Sequence, residues 1–564
     1  MHGLTDFGMA TLGDRYYWKD EKTPDDLFKR VASAYGSNPE HSARILSYLS
    51  QLWFMPATPI LSNGGTDRGL PISCFLNTVE DSMEGIRNTW NENIELSRFG
   101  GGLGTYWGGV RSVGEPIAGS GSTSGIIPFI KVQDSLSLAI SQGSLRRGSA
   151  AVYLDVSHPE IEEFLELRKP TGDANRRSLN LHHGVNIPDT FMWALKTGAP
   201  WYLISPKTGE IVKKVNAREI WQRILELRLE TGEPYINFID TVNAALPVPQ
   251  REAGLSVKQS NLCTEITLPT SVDRTAVCCL SSLNLAKWDE YSGQIDQVVL
   301  DVCEFLDNVL SDFISRTTVA RASYSAERER AIGLGVMGLH TYLQQHMIPF
   351  DSVMAKVHNT RIFKELRRAA DRASWQLAAT RGSCPDVPGE RFSHKLAVAP
   401  TANISIICGG VSAGVEPIPA NVYVHKTLSG SYVIRNPQLE AIIGSDEDVW
   451  DDILKHDGSV QHLERLDPQI KEVFRTAFEI DQRWIVDLAC DRQEFICQAQ
   501  SVNLFLPPNI HKMALHDLHW RAWAGGMKSL YYVRSKSMQR ATNTIADGYL
   551  AGVVSSNDDC LSCQ

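Results

Sequence analysis

Two segments of the chain carry the spacing of apolar residues that is typical of amphipathic helices. In residues 24–53 charged residues separate the apolar positions, which are Leu27, Val31, Ala34, Ile45, Leu49 and Leu52. A second pattern of this kind covers residues 217–231 and ends before Gly232, a residue type that commonly terminates helices. The pattern therefore predicts helical structure over 24–53 and a long amphipathic helix over 217–231.

Strand and helix patterns alternate in the middle of the chain. The apolar run 150–154 predicts a β-strand. Ser157-His158-Pro159-Glu160 follows it as a capping box with proline in the first turn, which predicts a helix over 161–169. Strand-like and helical segments continue to alternate further on, over 235–285, 297–316 and 327–347. This alternation indicates an α/β fold with helices packed on a sheet or barrel.

The composition is that of an ordinary folded protein, with 564 residues of which 43% are hydrophobic and 21% charged. The net charge of −10 argues against broad electrostatic binding to nucleic acid, which requires a basic surface. No apolar run is long enough to predict a membrane span, and the N-terminus lacks the basic-then-apolar pattern of a signal peptide. We therefore expect a cytoplasmic protein.

Eleven cysteines in a chain without a secretion signal do not indicate a disulfide framework. Five are predicted to be reduced core residues, namely Cys303, Cys384, Cys408, Cys490 and Cys497. The candidates for chemistry are Cys74, Cys263, Cys278 or Cys279, and the pair Cys560/Cys563. The last pair is a C-x-x-C without the second ligand pair of a structural zinc site, so we predict a redox dithiol and no metal.

Asn261-Leu262-Cys263-Thr264-Glu265 is the most informative stretch of the chain. If it is a strand, Asn261, Cys263 and Glu265 share one face. An amide can orient a polar substrate, a carboxylate can accept a proton, and a thiol can carry covalent or radical chemistry. A buried strand whose cysteine is only a small apolar residue is the alternative.

Glycines dominate the segment 100–104, within a region from Pro56 to Gly125 that is rich in glycine and proline. They lack the G-K-[ST] of a phosphate loop and the spacing of a dinucleotide fingerprint. We expect tight turns near a ligand or a neighbouring backbone.

Five segments and the terminal C-x-x-C together resemble the large catalytic subunit of class I ribonucleotide reductases. The segments are Pro56-Ala57-Thr58-Pro59, Ser73-Cys74, Asn261-Leu262-Cys263-Thr264-Glu265, Ala276-Val277-Cys278-Cys279-Leu280-Ser281 and Leu530-Tyr531-Tyr532-Val533-Arg534. The resemblance implies a ten-stranded α/β barrel whose central finger loop carries the catalytic cysteine. It also implies radical reduction of ribonucleoside diphosphates to 2′-deoxyribonucleotides.

The resemblance gives the central stretch its roles. Cys263 would become the thiyl radical that removes the 3′-hydrogen of the substrate. Glu265 would take the proton of the 3′-hydroxyl, and Asn261 would hold that end of the ribose.

The other cysteines would supply and renew the reducing electrons. Cys74 and Cys278 would deliver two electrons and end as a disulfide; Cys279 is the adjacent candidate, and the family motif favours Cys278. Cys560 and Cys563 would re-reduce that disulfide by thiol–disulfide exchange.

Tyr531 and Tyr532 lie where class I enzymes relay a radical from a partner subunit to the active-site cysteine. A tyrosine phenol suits a relay because it can lose an electron and a proton together. Packing residues on a β-strand are the alternative for a tyrosine pair.

The resemblance also places the substrate and the effectors. Substrate contacts would come from Thr58 and Ser73 near the sugar, and from Thr401, Ala402, Asn403 and Ser405 near the phosphates. The family usually has Ser or Thr where this chain has Asn403 and Ile404, so a phosphate contact is missing or comes from backbone N–H groups.

The effector site would use Asp81, Ser82 and Arg111. The loop 141–149 would lie between effector and substrate, with Arg146 or Arg147 reaching a base or phosphate. Two solvated arginines in a flexible loop are the alternative.

The expected organisation has three parts: a short helical segment 1–54, a catalytic α/β barrel 55–544, and a flexible tail 545–564 with the C-x-x-C. Nothing before Pro56 resembles the ATP-binding module that switches many relatives on and off. Overall activity control is therefore expected to be absent or supplied elsewhere.

The resemblance implies no cofactor bound in this chain, because a radical-bearing small (β) subunit would supply the radical. The other expected partners are thioredoxin or glutaredoxin, nucleoside diphosphate substrates, dNTP or ATP as specificity effectors, and a second copy in a homodimer. Binding to nucleic acid or membrane is not expected.

Two other readings remain open at this point. A class II, adenosylcobalamin-dependent reductase shares the thiol set, but a locally generated radical needs no tyrosine relay. A dithiol oxidoreductase or nucleotide-binding protein that uses only the C-x-x-C leaves Asn261, Glu265 and the tyrosines unexplained.

Overall fold

The structure, a computed structural model, describes residues 3–535 apart from 120, 143–145 and 428–429. The strands are β1 (Phe54–Pro56), β2 (Cys74–Thr78), β3 (Gly102–Tyr106), β4 (Pro116–Ile117), β5 (Gly121–Ser122), β6 (Ser141–Gln142), β7 (Arg146–Arg147), β8 (Ser149–Asp155), β9 (His182–Ile187), β10 (Pro200–Ile204), β11 (Ile211–Asn216), β12 (Tyr235–Phe238), β13 (Ala276–Asn284), β14 (Ile332–Met337), β15 (Val422–Thr427), β16 (Gly430–Arg435), β17 (Leu504–Leu506), β18 (Ser529–Leu530) and β19 (Val533–Ser535).

The helices that connect and cover these strands are α1 (Asp6–Arg15), α2 (Pro24–Tyr35), α3 (Pro39–Ser50), α4 (Thr58–Asn63), α5 (Met83–Arg98), α6 (Ile127–Ala139), α7 (Ile161–Leu165), α8 (Asp189–Thr197), α9 (Ala217–Thr231), α10 (Ile239–Ala244), α11 (Val248–Glu252), α12 (Trp288–Tyr291), α13 (Ile295–Arg316), α14 (Ala320–Glu329), α15 (Leu339–Gln345), α16 (Val353–Arg381), α17 (Ile404–Ile407), α18 (Pro437–Ile443), α19 (Glu447–Lys455), α20 (Pro468–Val473), α21 (Gln482–Gln493) and α22 (Lys512–Ala524). Short 3-10 helices lie at Ala174–Arg176, Leu285–Lys287 and Ser292–Gln294.

The central sheet is built from two parallel halves. Strands β2, β3, β8, β9 and β12 pair in that order, and all of these pairs are parallel. β13 pairs with β2 in the antiparallel direction and continues in parallel to β14. At the other edge of the first half, β18 pairs with β12 in the antiparallel direction.

Short extended segments close the sheet between β14 and the C-terminal strands. Leu334 in β14 pairs in parallel with Leu396, and Val398 pairs in parallel with Gln500. β17 then pairs in parallel with β19, which follows β18 in the chain. These pairings run from one half of the sheet back to the other, and the predicted α/β barrel is confirmed.

Helices cover the outer surface of the barrel, so its strands are buried on both sides. Every residue of β13 and β14 is buried. Behind them, α13 presents an apolar stripe that includes Val298, Val302, Leu306 and Leu310. A strand between a helical layer and a filled barrel has no solvent face, so β13 lacks the apolar–polar alternation of a half-exposed strand.

The predicted helical character of 24–53 is confirmed, and the structure divides this segment into two helices, α2 and α3. Thr23 caps α2 with a reciprocal bond to Asp26, and α2 ends at Tyr35. The side chain of Asn38 then accepts a hydrogen bond from the backbone N–H of His41 to start α3. Asn38 followed by proline is a strong local start signal, and it overrides the continuous apolar periodicity.

Two other local predictions are confirmed and one is wrong. The strand over 150–154 is β8, and the helix over 217–231 is α9. The helix expected over 161–169 shrinks to α7, with no side-chain cap from Ser157. The Glu160 carboxylate instead accepts hydrogen bonds from the backbone N–H groups of Val113 and Ile126, so a tertiary contact replaces the capping box.

The prediction that five cysteines lie in the core holds for three of them. Cys303, Cys384 and Cys408 are buried, whereas Cys490 and Cys497 are partly exposed. Both of the latter pack against the core from its edge. Within residues 3–535, with the gaps given above, no helix is long and apolar enough to cross a membrane.

A buried ion cluster joins α13 to the segments around it. The Asp307 carboxylate is completely buried, and Arg330, Arg381 and Arg391 lie 2.6, 2.9 and 3.0 Å from it. Although burial opposes ionisation, the arginines, Arg330 foremost, lower the pKa of Asp307. On the same helix Asp296 makes comparable pairs with Arg368 and Arg372, but it is about a third exposed.

We predict that Asp307→Asn destabilises the protein far more than Asp296→Asn. Removing the buried charge leaves Arg330 and Arg391 without their counter-charge, whereas Arg381 keeps its pair with Glu304, and we expect a cost of about 3–5 kcal/mol. Losing the exposed ion pairs of Asp296 should cost less than about 1 kcal/mol, because solvent screens these charges. Thermal and denaturant midpoints of the two variants measure the difference, and equal shifts would contradict the prediction.

Candidate active site

The segment 261–265 is a turn in an irregular loop and not a strand, in agreement with the finger loop that the family resemblance implied. The finger loop, which we define as residues 255–270, contains neither helix nor strand and lies between α11 and β13. Thr264 has φ of +67°, a left-handed conformation that no strand residue adopts. The turn still keeps Asn261, Cys263 and Glu265 close together, and all three are buried.

Side chains from the surrounding barrel hold the backbone of the finger loop. The Tyr153 hydroxyl donates to the carbonyl of Asn261 at 2.6 Å, and the Ser529 hydroxyl donates to that of Thr264 at 3.0 Å. The Ser501 hydroxyl donates to the carbonyl of Cys263. These donors replace the ladder partners that a buried strand would have had.

The glycine prediction is confirmed at two positions. Gly100 has φ of +88° and follows α5 in a tight turn. Gly104 in β3 faces the finger loop so closely that an added Cβ would lie 2.0 Å from the carbonyl oxygen of Ser260. Any larger residue at Gly104 would push the finger loop away from the barrel wall.

The two candidate redox cysteines lie side by side on neighbouring strands. Cys74 and Cys278 are directly opposite each other in the antiparallel pair β2–β13, and both are buried. Cys279 is the next residue of β13, so its side chain points to the opposite face. The amide of Gln498 donates to the Cys278 sulfur at 3.5 Å. Burial raises the pKa of Cys278 well above its usual range, so its thiol stays protonated.

Asn261 joins the finger loop to the cysteine pair. Its Nδ2 donates to the Cys74 sulfur at 3.7 Å, and its Oδ1 accepts from the backbone N–H of Ile266 at 3.2 Å. Ser73, the neighbour of Cys74, lies with its Oγ 3.8 Å from the same sulfur. The amide is therefore fixed in orientation between the finger loop and the thiols.

Glu265 is a fully buried carboxyl group beside these thiols. Burial raises the pKa of Glu265 to about 7, and donors, including the Ser501 hydroxyl at 3.3 Å from Oε2, oppose part of that rise. Its Oε1 is buried and has no hydrogen-bond partner among the described residues. A carboxyl with a pKa near neutrality and a free acceptor atom suits proton transfer.

Tyr531 and Tyr532 pack with Cys263 in a small buried cluster that also contains Tyr153 and Tyr235. The strand is interrupted between β18 and β19, so the two consecutive side chains do not point to opposite faces. Their ring centroids are 4.2 Å apart, and the Tyr531 hydroxyl hydrogen-bonds with the Cys263 side chain. Burial, and then the neighbouring Cys263, raises the pKa of Tyr531 well above its usual range.

The predicted sugar-side residue Thr58 begins α4, and its hydroxyl lies 3.1 Å from the Tyr16 hydroxyl of the N-terminal helices. The predicted phosphate residues Thr401, Ala402, Asn403 and Ser405 form the turn into α17. Thr401 is buried with φ of +55°, and its hydroxyl accepts from the backbone N–H of Gly414 at 2.7 Å.

Among the predicted effector residues, Asp81, Ser82 and Arg111 lie close to one another. Arg111 donates from Nε to both carboxylate oxygens of Asp81, at 2.9 and 3.0 Å. Ser82 caps α5, accepting from the backbone N–H of Gly85. Arg146 and Arg147 form β7, which pairs with β6. The predicted tail dithiol, Cys560 and Cys563, lies outside the described residues.

Four residues that were not predicted from the sequence contact the candidate site, namely Tyr153, Gln498, Ser501 and Ser529. Polar residues at 498, 500, 501 and 503 interrupt an otherwise apolar run. That pattern was the available signal of a strand whose polar side faces the inside of the barrel. Tyr153 gave no such signal, because a tyrosine in an apolar strand usually packs.

Two groups of carboxylate and imidazole side chains have metal-ligand spacing, Asp452/His456/His462 and His41/Asp301/Glu304. Neither contains a predicted site residue. Asp301 already accepts two hydrogen bonds from Arg44 at 2.8 Å each, so that group is accounted for as an ion pair.

Comparison with known proteins identifies the family. The model of the ribonucleotide reductase barrel domain matches residues 72–390 and 386–533, and that of the ribonucleotide reductase all-alpha domain matches residues 2–69. The chain belongs to the ribonucleotide reductase large-subunit family. The fold and family that the motifs implied are therefore confirmed.

Individual relatives agree with this family assignment. The chain is 41% identical to a ribonucleoside-diphosphate reductase large subunit of Invertebrate iridescent virus 3, over 99% of this chain and 98% of that protein. It is 32% identical to the subunit alpha of Chlamydia trachomatis, over 96% of this chain but 60% of that protein. The structure of the Actinobacillus ureae class Id ribonucleotide reductase alpha subunit matches with a TM-score of 0.83 and 33% identity, covering 95% of this chain and 97% of that one.

We predict that the acid limb of the pH profile of kcat/KM follows Glu265. The carboxyl must be ionised to accept a proton, so kcat/KM should rise with pH through about 7. Ser501→Ala removes a donor that favours the ionised form, so the limb should move to higher pH. Ser529→Ala is the matched control, because Ser529 bonds the finger-loop backbone and not the Glu265 carboxylate. Identical limbs in the wild type and Ser501→Ala would contradict the prediction.

Proposed function

We propose that this chain is the catalytic subunit that reduces ribonucleoside diphosphates to 2′-deoxyribonucleotides by radical chemistry. The observation that carries the proposal is the position of Cys263. It lies on a buried turn and packs in one cluster with the tyrosine pair, while Asn261 of the same turn contacts Cys74 of the Cys74/Cys278 pair. A dithiol oxidoreductase needs only a pair of thiols. It would not require Asn261, Cys263 or the tyrosine pair beside them.

The proposed reaction gives each group one task. The Cys263 thiyl radical takes the 3′-hydrogen of the ribose and becomes a thiol, while Glu265 accepts the 3′-hydroxyl proton. The 2′-hydroxyl leaves as water with a proton from the Cys74/Cys278 pair. The pair also gives a hydrogen atom to C2′, and it becomes a disulfide as its second electron passes to the sugar. Glu265 then returns its proton to the 3′-oxygen, and Cys263 returns the hydrogen atom to C3′ and regains its radical.

The state of the groups supports these tasks. A protonated thiol supplies a proton as well as an electron, and burial keeps Cys278 protonated. The unpartnered Oε1 of Glu265 leaves a buried acceptor for the substrate hydroxyl. The Asn261 amide donates to Cys74, and in the proposed reaction it holds the ribose between Glu265 and the thiol pair.

The tyrosine pair supports a class I enzyme that receives its radical from a small subunit. The rings of Tyr532 and Tyr531 are in contact, and Tyr531 contacts Cys263, so adjacent groups lead to the thiol. The neighbour in structure is itself a class Id alpha subunit. An adenosylcobalamin-dependent class II enzyme would leave this pair without a role.

Substrate, effector and partner assignments belong to the same proposal and follow the family resemblance. The turn into α17 binds the phosphates, partly through backbone N–H groups because Ile404 has no hydroxyl. dNTP or ATP binds near Asp81, Ser82 and Arg111 and selects the base. The chain acts in the cytoplasm as a homodimer, and thioredoxin or glutaredoxin renews its thiols through Cys560 and Cys563.

We predict that Cys263→Ser abolishes turnover while the fold is retained. A hydroxyl holds its hydrogen too strongly for an oxygen radical to form under the conditions that oxidise a thiol. The assay is deoxynucleotide formation with a cognate small subunit and reductant in excess, paired with a thermal melt. Cys303→Ser, at a buried cysteine on α13 away from the site, is the matched control and should keep its turnover. Appreciable turnover by Cys263→Ser would remove the radical assignment.

We predict that the double change Cys560→Ser and Cys563→Ser separates chemistry from re-reduction. Pre-reduced enzyme should complete one round, because Cys74 and Cys278 hold the two electrons that it needs. Multiple turnovers with a protein reductant should stop, and small dithiols that reach the site directly should restore them. Normal turnover of the double variant with thioredoxin would show that the tail carries no electrons.

A further inference from the structure

A buried carboxylate–imidazole pair lies beside the Tyr532 hydroxyl. His182 is the first residue of β9, and Glu233 lies between α9 and β12, the strand that pairs with β9. His182 Nδ1 is 2.6 Å from Glu233 Oε1 and 3.2 Å from the Tyr532 hydroxyl oxygen. The Glu233 side chain is completely buried and His182 is 7% exposed. Neither residue belongs to the motifs that carry the family resemblance.

The carboxylate fixes which nitrogen of His182 carries a proton. Burial disfavours the Glu233 charge, but Arg168 at 3.5 Å and the two neighbouring histidines outweigh it and hold the pKa of Glu233 well below its usual range. A charged carboxylate 2.6 Å from Nδ1 requires a proton on that nitrogen. His182 Nδ1–H therefore donates to Glu233, and the Tyr532 oxygen lies within reach as a second acceptor of the same proton.

The two carboxylate oxygens of Glu233 have different partners, and His182 is the partner of Oε1. Oε2 accepts from the backbone N–H and Nδ1 of His183, at 3.0 and 3.1 Å. His182 lies with its ring nearly parallel to that of Tyr235, with an interplanar angle of 17° and centroids 6.0 Å apart, and edge-on to Tyr532. Its orientation is thus set by a charge on one side and by the tyrosine cluster on the other.

We propose that His182, oriented by Glu233, is a positioning residue that donates a hydrogen bond to the Tyr532 oxygen and holds this tyrosine in the geometry required for radical transfer. This inference rests on the proposed function and adds residues to it. When Tyr532 is oxidised, its electron and phenolic proton pass to the radical-bearing small subunit. His182 cannot take the phenolic proton, because Nδ1 already carries one, so it remains a donor to the phenoxyl oxygen.

The test compares two substitutions at His182 with one at its neighbour. His182→Phe keeps an aromatic ring and removes the donor, whereas His182→Asn places an amide N–H near the position of Nδ1. His183→Phe is the matched control, because His183 shares the Glu233 carboxylate but contacts no tyrosine of the cluster. Each variant is assayed as the full chain with its small subunit for CDP reduction, and each is melted.

We expect kcat of His182→Phe to fall about tenfold or more with KM for CDP unchanged. Its melting midpoint should fall no further than that of His183→Phe, which also loses a donor to the buried Glu233 carboxylate. His182→Asn should recover most of that loss, and His183→Phe should stay within about twofold of the wild type. Wild-type kcat in His182→Phe, or equal losses in the Phe and Asn variants, would overturn the proposal. A rise in KM that accounts for the whole loss would overturn it as well.

A second readout needs no turnover. In protein labelled at histidine, the Nδ1–H resonance of His182 should shift when Tyr532 becomes Phe and stay in place in the Tyr531→Phe variant. An unchanged resonance in Tyr532→Phe overturns the hydrogen bond itself. If the wild-type chain makes no deoxynucleotide, the proposed function fails, and the resonance still decides whether His182 holds Tyr532.

Discussion

The candidate site depends on satisfying the backbone of an irregular loop that is buried inside a barrel. A loop away from water loses its usual hydrogen-bond partners, and each unpaired buried group costs free energy. Here barrel side chains supply the partners: Tyr153 for Asn261, Ser501 for Cys263 and Ser529 for Thr264. These bonds fix where the Cys263 sulfur lies.

That constraint explains why polar residues line strands that helices cover on their outer side. Gln498 donates both to the Cys278 sulfur and to the carbonyl of Ile332, and its Oε1 accepts from the backbone N–H of Thr267. One side chain thus ties together the finger loop, the redox strand β13 and β14. Gly104 in β3 also holds the finger loop close to the barrel strands, because it has no side chain at the point where the two backbones meet.

Burial also sets the protonation state of each reactive group. A low-dielectric interior disfavours charge, so Tyr531 and Cys278 keep their protons, and only Glu265 titrates near neutrality. Neutral phenols and thiols suit chemistry in which an electron moves together with a proton. Glu233 is the exception, a buried charge that persists because Arg168 and two histidines surround it.

Local patterns predicted much of the fold and most of the reactive residue types. The apolar run of β8 and the amphipathic pattern of α9 each predict the element that forms. The residue types of the motifs indicate the chemistry by themselves. Local patterns failed where a contact from far along the chain intervened. Glu160 was drawn to the backbone of Val113 instead of capping a helix, and Asn261–Glu265 became a turn because the barrel supplied its hydrogen bonds.

The sequence by itself thus determined the family, the α/β class and the set of thiol, amide, carboxyl and phenol groups, because these depend on residue type and order. Only the tertiary structure decided which cysteine of the pair in β13 faces Cys74, since strand register sets that. It alone brought Gln498, Ser501 and the His182–Glu233 pair to the site. Periodicity is a property of a few neighbouring residues, whereas these contacts join strands that are separated by up to hundreds of residues and meet only when the barrel closes.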